Sequence, residues 1–203
     1  MMKVILLFLC LLSTVAVSGQ FAYGLTAKTE LYSRYSNPQD GIASPASGSA
    51  LINLGLGPKI WIGGENFSLS GEAVAVISPF AVSLGDFKGL GAVSLPVMAK
   101  INIGGLSTLN KEGKFGFSAG VGYQWTRTEL FGLTSKFEDQ DVSRKYFKNL
   151  IGEVGFGFGM GGFAGILYLR YGRDSSARSN IFTLGLGYDF NAPRLKVTTD
   201  SEF

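Results

Sequence analysis

Residues 152–172, GEVGFGFGMGGFAGILYLRYG, alternate bulky apolar residues with glycine or polar ones. Val154, Phe156 and Phe158 share one parity, and Glu153, Gly155 and Gly157 share the other. GMGG then turns the chain. Phe163, Leu167, Leu169 and Tyr171 resume the apolar parity, opposite Ala164, Tyr168 and Arg170. Side chains on a strand alternate between two faces, so this period of two describes a strand whose faces meet different surroundings. A membrane helix is a poor alternative, because it would carry eight glycines and would place Glu153 and Arg170 in the bilayer. Gly157, Gly159 and Gly162 match the dinucleotide pattern G-x-G-x-x-G. That pattern must open a helix after a buried parallel strand, and here another strand follows.

The same period organises most of the chain. It runs through FAYGLTAKTELYSRY (21–35), LINLGLGPKIWI (51–62), NFSLSGEAVAVIS (66–78) and AVSLPVMAKIN (92–102). It continues through KFGFSAGVGYQWT (114–126), YFKNLIGEVGFGF (146–158), FAGILYLRYG (163–172) and NIFTLGLGYDF (180–190). A tilted strand needs about 9–11 residues to cross a bilayer, and each segment supplies that length. Connections alternate: GGEN, GMGG and the longer IGGLSTLNKEG (103–113) lie at one end, and mostly longer polar loops lie at the other. The expectation is an all-β fold, an eight-stranded antiparallel up-and-down transmembrane β-barrel over residues 20–190. An even strand count brings both ends of the barrel to one side, the periplasmic one.

The N-terminus reads as a targeting segment. Lys3 precedes the apolar run VILLFLCLLSTVAV and the small-residue exit VSGQ, the order of a secretory signal peptide over residues 1–19. The expected destination is the bacterial outer membrane. Cys10, the single cysteine, lies within that run behind Leu9, where lipidation would need a small residue. The mature chain then offers no disulfide, thiol nucleophile or thiolate metal site, and the absence of histidine removes the usual general base. No cofactor, no metal site and no enzymatic activity are expected. A net charge of +3 with dispersed basic residues gives no nucleic-acid footprint.

Strand parity sends eight charges inward: Lys28, Lys59, Lys100 and Arg170, with Glu30, Glu72, Glu153 and Asp189. Charges in a narrow lumen are costly unless paired, so these residues read as an ion-pair network that plugs the barrel. A path for protons, ions or a small solute is the alternative, and paired carboxylates acting as acid and base are a third. A slip of one residue in any strand would expose its charges to lipid. Outward aromatics read as two interfacial girdles. Tyr23, Phe67, Phe115, Phe158, Phe163, Tyr188 and Phe190 belong to one rim. Tyr35, Trp125, Tyr146, Tyr171 and Phe182 belong to the other. A ligand-binding aromatic patch is the competing reading.

The signal peptide, strands such as FGFSAGVGYQW and the closing TLGLGYDF resemble the small outer-membrane β-barrel proteins of Gram-negative bacteria, the OmpA-like and OmpX-like eight-stranded family. The resemblance covers roughly residues 21–190. It implies Phe190, or else Phe203, as the terminal aromatic that signals to the barrel assembly machinery. It also implies outer-membrane lipid and lipopolysaccharide as partners. Residues 191–203 depart from the pattern and read as a short periplasmic tail or, alternatively, a last strand. The family includes adhesins, lipid enzymes and small channels. The expected function is therefore a structural or surface-interaction role through the extracellular loops, with a narrow channel or transporter for small or apolar solutes as the alternative. Loop 127–145 is the longest and most charged, and its Leu130, Phe131, Leu133 and Phe137 are candidate contacts for an unidentified surface partner, or a lid over the barrel mouth.

Overall fold

The computed structural model describes residues 19–37, 46–83, 89–132, 145–174 and 178–200. Nearly all of the signal-peptide segment lies outside the described residues, as do Leu133 and Phe137. Strands β1 (Gln20–Asn37), β2 (Ala46–Gly63), β3 (Phe67–Ala73), β4 (Ala75–Ser83) and β5 (Leu90–Gly104) come first. A 3₁₀ turn at Gly105–Ser107 follows, then β6 (Lys114–Phe131), β7 (Phe147–Met160), β8 (Phe163–Asp174), β9 (Ser179–Asn191) and helix α1 (Ala192–Asp200).

Every pairing is antiparallel, and β1 pairs with both β2 and β9, which closes the ring. Strands β3 and β4 both lie between β2 and β5, so they are two halves of one wall strand and the barrel has eight. The break falls at Val74, opposite Pro96 on β5 and beside Pro58 on β2. Neither proline has an N–H to give the ladder. Val74 keeps one bond, donating its N–H to the Pro96 carbonyl at 3.0 Å.

Strands β1, β2 and β6 each run 18 residues, well beyond a bilayer span, so the wall continues past the membrane at the end away from the termini. Several expectations change here. Residues 79–83 and 127–131, read as loop, are strand, and Leu130 and Phe131 close β6 rather than sitting on a loop tip. Irregularities hid them. The register shifts between Ser78 and Val82 and between Leu90 and Ala92, and Glu129 has φ 51°. Each irregularity breaks the period of two from which strands are read. Tyr35, expected at the outer girdle, is buried inside the barrel. The shift between Glu30 and Tyr32 makes Leu31 an extra residue against β9, which reverses the parity of all that follows. Residues 192–200 are helical, which excludes a last strand there.

Loop 103–113 differs most from its expected role as a simple connection. It folds into the mouth at the end that carries both termini, where Leu106, Ser107, Thr108, Leu109 and Asn110 are all buried.

Candidate functional site

All eight inward charges are buried at 4% exposure or less, and they form one connected network. Asp189 accepts from Lys59 Nζ at 2.6 Å, and Lys59 lies 3.4 Å from Glu72. Glu72 also receives Lys28 at 2.5 Å and Lys100 at 2.9 Å. Both lysines reach Glu153, Lys28 at 3.3 Å and Lys100 in a shorter contact. Arg170 Nη2 donates to Glu153 at 2.7 Å, and its Nη1 donates to Glu30 at 3.1 Å. The charges come from β1, β2, β3, β5, β7, β8 and β9, so the network ties nearly the whole wall together across the lumen.

Neutral side chains on the same parity complete it. Asn53 Nδ2 donates to Glu30 at 3.0 Å, and Gln124 Oε1 accepts from Arg170 at 3.3 Å. The Tyr168 ring lies 4.9 Å from Lys28 Nζ and 5.2 Å from the Arg170 guanidinium, and Trp61 lies 5.3 Å from Lys59. Parity pointed all four inward; their membership in the network needs the three-dimensional register.

The lumen is filled above and below this layer. Toward the loop end lie Tyr35, Ala50, Ala81, Ala92, Ile151 and Ile181, an apolar stratum that continues to Met98. Toward the terminal end, Leu106 packs with Ala164, Ile166 and Tyr168, and Leu109 packs with Ala22 and Trp61. Ser68 Oγ donates to the Ser107 carbonyl at 2.9 Å, Ser107 Oγ to the Glu65 carbonyl at 2.6 Å, and Asn191 Nδ2 to the Thr108 carbonyl at 2.8 Å. The inward glycines make room for this filling. A side chain at Gly48 would meet the Tyr35 ring, and one at Gly185 would meet the Tyr168 ring. Among the described residues no cluster of His, Cys, Asp and Glu could hold a metal ion.

The outer surface is the reverse. Leu54, Phe117, Val121 and Val154, each about 60% exposed, typify a continuous apolar band around the ring. Interfacial candidates Tyr23, Phe67, Phe115, Phe158, Tyr171 and Phe190 face outward and are exposed, and Trp125 is half-buried beside them. A closed ring with an apolar exterior and a polar, charge-paired interior is stable only with lipid around it. The chain is an eight-stranded transmembrane β-barrel. No described helix is long and apolar enough to cross a membrane. Purified in detergent, the barrel should give a β-type circular dichroism spectrum and migrate differently on gels before and after boiling; a helical spectrum would exclude it.

No protein-family model matches the sequence, and no curated protein matches it. Solved structures do. Ail, the attachment invasion locus protein of Yersinia pestis, matches at 13% identity over 83% of this chain and 97% of its own, with a TM-score of 0.43. The outer membrane protein OprG of Pseudomonas aeruginosa matches at 16% identity over 84% and 98%, with a TM-score of 0.40. Neisserial surface protein A matches at 10% identity over 86% and 99%, with a TM-score of 0.47.

Proposed function

We propose that the chain is a non-catalytic anchor, a barrel closed to solutes that meets its partners at the cell surface through the loop end. What supports this reading is the filling of the lumen at three successive levels: an apolar stratum, the ion-pair network and the folded-in loop at Gly105–Asn110. Strands held by lipid outside and by packing inside have little freedom to encode recognition, whereas loops carry no such constraint. Residues 133–144, between β6 and β7 in the sequence and outside the described residues, hold two of the proposed apolar contacts, Leu133 and Phe137.

Planar-bilayer recording tests the closure. The expected result is a silent membrane after insertion of heat-modifiable protein. Stable unitary steps of porin-like size would instead favour the channel alternative.

A further inference from the structure

Helix α1 (Ala192–Asp200) is too short to hold itself together. An isolated helix of fewer than about 12–15 residues is marginal in water even when built from good helix formers. This one has nine residues, and Val197, Thr198 and Thr199 put three β-branched side chains in succession. Its stability must come from what it touches. Pro193, Arg194 and Leu195 are half-buried, whereas Lys196 and Val197 are exposed, so the first turn lies against the barrel.

Elements distant in the chain meet at this turn. Asn191, the last residue of β9, pairs with Gly24 of β1 across the closure of the ring. Its N–H donates to the Gly162 carbonyl in the β7–β8 turn at 2.7 Å, and its Nδ2 donates to the Thr108 carbonyl of the inward loop at 2.8 Å. Arg194 Nη2 donates to Gln20 Oε1 at the start of β1. The β7–β8 turn is shaped for the helix. Gly162 has φ 101°, and a Cβ on it would lie 2.5 Å from Arg194 Cβ and 3.3 Å from the Asn191 carbonyl oxygen. Neither atom is the free end of a side chain that could swing aside. The last glycine of GMGG is therefore what seats α1.

We propose that residues 191–200 form a clasp that locks the ring shut at the end carrying both termini. Helix α1 bridges β1 and the β7–β8 turn, and Asn191 ties that bridge to the inward loop. Gln20 and Arg194 are 174 residues apart, and Thr108 and Asn191 are 83 apart. Neither pair can meet until β1 has paired with β9 and the loop is seated, so the clasp forms last. It must also open before β1 can leave β9 at this end. Contacts absent from the folding transition state slow unfolding and leave the folding rate unchanged. The clasp therefore gives the closed ring its kinetic persistence.

The test is the rate at which residues 20–203, inserted in lipid vesicles, unfold in concentrated urea, followed by tryptophan emission. Val197→Pro breaks α1 at an exposed position and changes no barrel residue. It should unfold about tenfold faster than wild type, with a folding rate within about twofold. Gly162→Leu, which fills the seat from the turn, should do the same. The double variant should unfold no faster than either single one, because both changes disable one device. Trypsin should cut after Arg194 roughly tenfold faster in each variant than in wild type, since cleavage needs the helix released. An unchanged unfolding rate in Val197→Pro would overturn the proposal. So would an equal fall in its folding rate, or effects that add in the double variant. Cutting after Arg194 as fast in wild type as in Val197→Pro would show that α1 is not docked, and would overturn it as well.

Discussion

Glu153→Leu is expected to destabilise the barrel by about 3–5 kcal/mol, the usual consequence of removing one partner from a buried ion pair. Glu153 is the hub of the network, where Lys28, Lys100 and Arg170 converge. With it gone, Lys28 and Lys100 both fall back on Glu72, and Arg170 keeps only Glu30 as a carboxylate partner. Four cations would then face three anions among side chains buried at 4% exposure or less, with apolar clusters packed on either side. The measurement is a urea titration of barrel inserted in lipid vesicles, followed by tryptophan emission. Lys100→Met combined with Glu153→Leu restores neutrality and should recover a substantial part of the loss, because residues in one network couple strongly. A single variant within about 0.5 kcal/mol of wild type, the range of an ordinary surface substitution, would refute the ion-pair plug.

How much of this was legible in the sequence follows from what fixes a barrel. A period of two needs no knowledge of neighbours, so the eight wall strands and the inward positions of Lys59, Glu72 and Arg170 follow from residue order alone. The lipid penalty reinforces them, since a one-residue slip would expose each charge. Bulges are invisible to this reasoning. The extra residue at Leu31 turned Tyr35 from girdle to core, and the irregularities near Val82 and Glu129 disguised strand as loop. The choice of partners within the network was also out of reach, because it depends on strand stagger across the ring. The inward fold of loop 103–113 had a faint signal: Leu106 and Leu109 are oily for a solvent-exposed turn.

The second large effect concerns that folded-in loop. Gly105→Val should unseat it. A Cβ at Gly105 would lie 1.8 Å from the Lys114 carbonyl oxygen, and one at Gly159 would lie 1.8 Å from the Gly105 carbonyl oxygen. Backbone faces backbone at both contacts, so no side chain can swing aside to make room. The entry and exit are equally constrained, with Gly104 at φ 65° and Thr108 at φ 59°, both left-handed. The loop therefore has one seat or none. Its position can be read chemically, because Cys10 is the only cysteine and a chain starting at Gln20 has none. Leu109→Cys, at a site 1% exposed, should resist a membrane-impermeant maleimide in the native barrel. Adding Gly105→Val should make labelling essentially complete while the unboiled gel shift persists, since the β6 ladder to β7 does not depend on residue 105. Gly159→Val, which blocks the same seat from the wall side, should reproduce the effect. Under the proposed closure, conductance should nevertheless stay absent in these variants, because the network of Lys28, Glu72, Lys100, Glu153 and Arg170 crosses the lumen above the loop. Labelling without conductance establishes two separate closures. Labelling accompanied by conductance would show that the loop alone seals the barrel. An unlabelled Leu109→Cys/Gly105→Val protein would show that the close contacts yield and that the seat is not set by glycine.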